Sequence, residues 1–160
     1  MAVTKIHPIK NTLYLALNYI MNEYKTDDKI LIKSFACNPQ TAHLEFEQTK
    51  KECNSKAKVL ARHIIQAFAP GEATPEQAHK IGMDLCEKVL QGKYEYVLTT
   101  HIDKEYLYNH IIFNNMNFKT GKTYKSNKRT YHKTRNIRDK IFKENGLFVI
   151  DEIYNFWDPK

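Results

Sequence analysis

The sequence predicts an α+β fold, an antiparallel sheet of about five strands covered by helices, and three observations carry that prediction. Two runs rich in aromatic and β-branched residues, Tyr94 to His101 and Leu107 to Phe118, flank a short turn and read as a β-hairpin. Strand-like and helix-like stretches alternate before the hairpin and continue after it, the pattern of a sheet with helices laid on it. The length, 160 residues with 42% apolar content, suits one domain with a real core. We assign that domain to residues 1–150 and read 151–160, with Trp157, as a C-terminal tail that begins an extension.

In chain order, Thr4 to Ile9 is a short edge strand carrying Pro8, a residue that edges tolerate. A helix follows from Thr12 to about Tyr24, with Leu13, Leu17, Ile20 and Tyr24 as its buried stripe. Tyr19 lies roughly 120° from the centre of that stripe at 100° per residue, so its hydroxyl points away from the core. By itself that describes an ordinary surface tyrosine. Lys29 to Phe35 is a strand. Asn38 or Thr41 caps a helix running to about Asn54, with Pro39 in its first turn. Val59 to Phe68 is a strand with His63 in its middle. Thr74, followed by Pro75 and Gln77, caps a helix from Pro75 to Leu90, and Gln91-Gly92 closes it. After the hairpin and the turn Lys119 to Lys122, a basic helix runs from about Arg129 to Asn145, with Thr134, Ile137 and Ile141 as its narrow apolar side. Gly146 ends it, and Leu147 to Ile150 is a last strand.

The hairpin carries chemistry. With a side-chain period of two, Tyr106, Tyr108, His110 and Ile112 share one face of its second strand. Antiparallel pairing brings His101 beside that face and Asp103 to its rim. Two imidazoles and nearby carboxylates on neighbouring strands hold a divalent cation, or else are hydrogen-bonded, half-buried residues.

Charge is uneven. Lys119 to Lys143 holds ten basic residues and one acid, Asp139; the rest of the chain holds fifteen basic and seventeen acidic residues, about −2 against a total of +7. Such a segment is the footprint of a polyanion-binding face or a solvated lysine-rich helix. Tyr124, Tyr131, Asn127 and Asn136, interleaved with the charges, favour nucleic acid. We take Lys122, Lys125, Asn127, Lys128, Arg129 and Arg135 as its contacts. Cys37, Cys53 and Cys86 are odd in number and form no Cys-x-x-Cys pair, which points to a reducing compartment. No apolar stretch approaches eighteen residues, and the first residues contain no apolar leader, so a soluble, cytoplasmic protein without membrane insertion is expected.

Several pieces, in order, match a known family. They are Asn18-Tyr19-Ile20-Met21-Asn22 with Lys25-Thr26, Cys37 to Ala42, Arg62 to Phe68 with Pro70-Gly71-Glu72, Thr74 to Ala78, the His101 to Asn114 hairpin, and Tyr124 to Lys128. From about Thr4 to Ile150 the chain resembles the relaxase (mobilisation nuclease) domain of conjugative plasmids and integrative elements, a branch of the HUH endonucleases. The resemblance implies an HUH relaxase-like fold and a bacterial enzyme that nicks and rejoins single-stranded DNA at an origin of transfer. It implies Tyr19 as the nucleophile that leaves a 5′-phosphotyrosyl link. It also implies His101 and His110 as ligands of a divalent metal, Mg²⁺ or Mn²⁺, and Asp103 as the orienting carboxylate. Accessory relaxosome and coupling proteins are the implied partners. Tyr106 and Tyr108 depart from the family's histidine-rich hairpin, and Tyr108 takes the place of the middle ligand. A neutral phenol is a poor ligand, so Glu105, His63 or Tyr108 itself completes the site, or the metal site is weakened. Two other readings follow from the same likeness: a DNA-binding module that has lost cleavage, and a related rolling-circle replication or transposition nuclease.

Overall fold

The hairpin lies at the centre of the molecule. In the computed structural model, which describes residues 3–22, 25–26 and 31–147, five strands form one antiparallel sheet. They are β1 (Val3–Ile9), β2 (Ile32–Phe35), β3 (Ala61–Phe68), β4 (Tyr96–His101) and β5 (Leu107–Asn114), in the spatial order β1-β3-β5-β4-β2. Four α-helices accompany them: α1 (Leu13–Ile20), α2 (Ala42–Glu52), α3 (Pro75–Leu90) and α4 (Lys128–Glu144). Pro8 sits in β1, an edge strand, where its missing N–H removes no bond that an outer neighbour needs.

Alternation along the inner strands divides the sheet cleanly. Val97, Ile112 and Ala61 face the front, where they pack with Leu13, Leu17 and Ile20 of α1 and with Ala42 and Phe46 of α2. Leu98, Ile111, Phe113, Ile64 and Phe68 face the back. There they meet Ala78, Ile81, Leu85 and Leu90 of α3 and Tyr131, Ile141 and Phe142 of α4. Every residue of β4 is buried because both faces are covered.

Element ends differ from the sequence expectation where short polar side chains compete for the backbone. α1 starts one residue late, since Thr12 adopts a left-handed conformation (φ 53°), and it stops at Ile20. Beyond it the chain turns back through Asn22, whose carbonyl accepts from the N–H groups of Lys25 and Thr26. Asn38 accepts from the Gln40 N–H to close a short 3-10 turn, Pro39–Thr41, and α2 begins only after it. The Thr41 hydroxyl donates to Glu45 and does not cap. β5 ends at Asn114, four residues before its predicted end, because the Asn114 side chain accepts from the Met116 N–H and bends the strand off. The caps of α3 and α4 form as local chemistry demands: Thr74 accepts from the Gln77 N–H, and Asn127 with Thr130 makes a reciprocal capping box. The three cysteines are free. Tyr24, the strand expected over Leu147 to Ile150 (save Leu147) and the tail lie outside the described residues. Among those described, no helix is long and apolar enough to cross a membrane.

Candidate functional site

Front-face alternation carries Thr99 and His101 on β4, Tyr108 and His110 on β5, and His63 and Ile65 on β3. β4 and β5 place Thr99 opposite His110 and His101 opposite Tyr108, so His101 and His110 are diagonal neighbours with ring centroids 4.2 Å apart. His63 stands on the other side of His110, 5.1 Å between centroids, with its Nε2 2.9 Å from His110 Nδ1. The three rings form a row across β4, β5 and β3. His101 is oriented by a backbone group, its Nε2 lying 2.8 Å from the carbonyl oxygen of Ile20 at the end of α1.

That contact also brings in the tyrosine. Tyr19 precedes Ile20, and its ring meets His101 at 5.7 Å and His110 at 6.2 Å, edge-on in both cases. It is 53% exposed, so its hydroxyl is open to solvent while its ring leans on the imidazoles. Tyr19, Lys25, Ile65, His101, Asp103, Lys104, Tyr108 and His110 line one cleft of about 180 Å³. All five residues expected at the catalytic centre from sequence therefore share it.

Electrostatics in the cleft follow from burial and one ion pair. Burial pushes all three histidines down: His110 to about 2, helped by the neighbouring rings of His101 and His63, and His63 to about 4. His101 is also lowered by burial, partly opposed by the Ile20 carbonyl and by Asp103. The rings are thus neutral at physiological pH. Lys25 Nζ lies 2.9 Å from Asp103 Oδ2 and 5.4 Å from the centroid of the Tyr19 ring. The hydrogen bond to Asp103 raises the Lys25 ammonium. For Asp103, desolvation pushes upward, but the hydrogen bond and charge of Lys25 outweigh it and hold the carboxyl below its usual range.

Asp103 therefore reaches Lys25, and the ring of His101 takes its orientation from Ile20. Lys25 is the functional candidate that periodicity missed. It is stitched to the end of β4, its carbonyl accepting from the Ile102 N–H at 2.7 Å, a contact across 77 residues with no local signature. His63 has a visible signal, a histidine in mid-strand, but its position beside His110 depends on β3 pairing with β5.

Three neutral imidazoles in a row fit a divalent ion in kind, since deprotonated nitrogen is what such an ion binds. Here their hydrogen bonds go to one another and to Ile20. Among the described residues no three His, Cys, Asp or Glu side chains are already arranged to hold an ion.

The basic segment lies elsewhere. α4 packs against α3 on the back of the sheet, and Tyr124 rests on the back-face ring of Phe113, 5.1 Å between centroids. Lys122, Lys125, Lys128 and Arg129 are exposed, Arg135 is half-buried, and Asn127 is occupied as the helix cap. Arg138 is only 1% exposed and pairs with Asp139 at 2.7 Å, so one of the ten basic residues is turned into the protein. The sheet separates α4 from Tyr19, whereas the Lys119–Lys122 turn reaches the end of α2 on the front, where a Cβ on Gly121 would lie 4.0 Å from Cys53 Sγ.

Comparison with known proteins bears on this geometry. The family model described as "Relaxase: MobA/VirD2-like, nuclease domain" matches residues 19–147. A Staphylococcus aureus protein named Protein rlx is 34% identical over 151 residues, 94% of this chain and 46% of its own length. The "Group II intron-interrupted relaxase LtrB" of Lactococcus lactis subsp. cremoris is 38% identical over 133 residues, 74% of this chain and 23% of its own. The chain thus spans about half the length, or less, of these curated relatives. A solved chain described as "Molecular Basis of Vancomycin Resistance Transfer in Staphylococcus aureus" superposes with a TM-score of 0.57 at 15% identity, covering 96% of this chain and all of that one, a likeness of fold.

Proposed function

This chain belongs to the relaxase family as a MobA/VirD2-like nuclease domain, and on that premise we propose that it nicks single-stranded DNA at an origin of transfer through Tyr19. The observation that carries the reading is the edge-on approach of an exposed tyrosine to two neutral imidazoles across one small cleft.

The Tyr19 hydroxyl gives up its proton as its oxygen bonds to the scissile phosphorus, the bond from phosphorus to the 3′ oxygen breaks, and the 3′ oxygen takes up a proton, so none is gained or lost overall. The product is a 5′-phosphotyrosyl link and a free 3′-hydroxyl, whose later attack reverses the step and religates the strand. A neutral phenol is a weak nucleophile, so charge beside it matters. The Lys25 ammonium favours the phenolate as it forms, and Asp103 holds Lys25 in place. His101 and His110, with His63 behind them, would hold the metal, Mg²⁺ or Mn²⁺; Tyr108 lines the same cleft. When bound, that ion supplies charge to the non-bridging oxygens of the phosphate. The exposed lysines of the basic segment bind further DNA phosphates. Accessory relaxosome and coupling proteins are its expected partners.

The test is incubation with Mn²⁺ and a hairpin-bearing single-stranded oligonucleotide. A covalent protein–DNA adduct that disappears in Tyr19→Phe is expected. One specific observation favours a second reading, a binding module without cleavage: His63 and His110 bond one another and His101 bonds the Ile20 carbonyl, so these ring nitrogens are already engaged. A gel shift with no adduct in the wild-type chain would establish that reading instead.

A further inference from the structure

The basic helix α4 lies behind the sheet, so a strand that reaches Tyr19 needs contacts on the front face as well. Two cavities lie along the Tyr14 side of α1 on that face, about 490 and 620 Å³, and Tyr14 lines both. We infer that they form one groove for the unpaired nucleotides beside the scissile phosphate, with Tyr14 and His43 as its base-stacking platform. This inference deepens the nuclease reading and rests on it.

Tyr14 is 51% exposed and meets the His43 ring of α2 edge-on, with 4.6 Å between centroids. At 100° per residue, Tyr14 and Tyr19 flank the buried stripe of α1 on opposite sides, separated by about 7.5 Å along the axis. A strand crossing α1 therefore passes from one tyrosine to the other within a few nucleotides. On one side of Tyr14 the groove is lined by Lys50 and Lys51. Glu47 lies there too, 3.5 Å from Lys51, which leaves the wall net positive, as a phosphate backbone requires. On the other side the amides of Asn18 and Gln40 stand among apolar residues, donors and acceptors suited to base edges. Aromatic faces with flanking cations are how proteins hold single strands with little sequence demand.

The test uses fluorescence anisotropy without added metal. The probes are an oligothymidylate of about 15 nucleotides and an abasic oligomer of equal length. Tyr14→Ala is expected to weaken oligothymidylate binding about ten-fold and to leave the abasic oligomer unaffected. Tyr14→Phe keeps the stacking face and restores affinity. Lys50→Gln with Lys51→Gln is expected to weaken both probes and flatten the salt dependence. Should Tyr14→Ala fail to fold, His43→Ala applies the same contrast from the other helix. Wild-type affinity in the alanine variants, equal losses on both probes, or no binding by the wild-type chain overturns the groove. Adduct formation is scored separately: binding through the groove with no Tyr19 adduct sinks the nuclease reading and leaves the groove, and an adduct with unchanged affinities does the reverse.

Discussion

The two faces of the sheet are built to opposite ends. The back is closed by α3 and α4, of 16 and 17 residues, each with a side-chain N-cap, over a continuous apolar core. The front carries an eight-residue α1 without a side-chain cap, a row of three imidazoles, an exposed tyrosine and open cavities. The difference teaches that the reactive part of the front is tolerated because apolar cores on both faces, the larger one on the back, hold the sheet. A row of buried neutral imidazoles contributes little apolar burial, whereas Phe68, Leu85 and Phe113 on the back are fully enclosed.

Four experiments break or sharpen that contrast, and a fifth turns to the back surface. The largest effect is expected from Tyr19→Phe, which removes all covalent adduct while the unfolding free energy stays within about 0.5 kcal/mol of wild type in urea titrations. Next, Phe113→Ala on the back should cost about 3–5 kcal/mol by the same titration, since its ring is fully enclosed. A destabilisation as large in the first experiment, or as small in the second, would erase the division of labour.

Gly82→Ala joins the faces. A Cβ there would lie 2.8 Å from Asn109 Nδ2, and that amide is already committed: it donates to Gln66 and to the Ala78 carbonyl, while Asn109 Oδ1 accepts from Thr100. Thr100 and Asn109 are the back-face neighbours of His101 and His110 on the central hairpin. The substitution should cost about 1–3 kcal/mol and also reduce adduct yield. Unchanged adduct in a destabilised variant would show that the two faces act independently.

A smaller effect concerns Glu95, buried at the far end of the front beneath α2. Desolvation raises its carboxyl, against the hydrogen bonds from Thr49 and Asn114. A raised folded-state pKa means the native protein binds this proton more tightly, so the cost is full at neutral pH and fades as pH falls through the carboxyl range. Glu95→Gln should therefore be more stable than wild type at pH 7, with the gap closing on acidification in thermal melts. A gap that widens on acidification would reverse the assignment. The smallest effect is expected on the back surface, where neutralising Lys128 and Arg129 should flatten the salt dependence of DNA binding by about 0.7 for each phosphate no longer neutralised, leaving saturated adduct yield unchanged.

Much of the fold was legible along the chain. Thr74 with Gln77, and the apolar spacing to Leu90, set out α3 to the residue, and the β4–β5 hairpin was plain in its aromatic and β-branched runs. Strand ends were harder to read, as at Asn114, where a side chain outcompetes the ladder. The cleft was legible in part: Tyr19 stood off its helix stripe, and His101, Asp103, Tyr108 and His110 lie within ten residues of one another. The basic segment was visible as charge but not as a direction.

The sequence by itself determined the order of the described elements, the cap of α3 and which side of each element is apolar, because those depend on neighbours a few positions away. Tertiary structure alone decided that Ile20 would orient His101 across 81 residues, that Lys25 would meet Asp103 across 78, and that His63 would touch His110 across 47. It alone put α4 behind the sheet. The strand order β1-β3-β5-β4-β2 is what sets these encounters. Periodicity reports how one element buries its own face, and the choice of strand neighbour is made by the packing of all of them together.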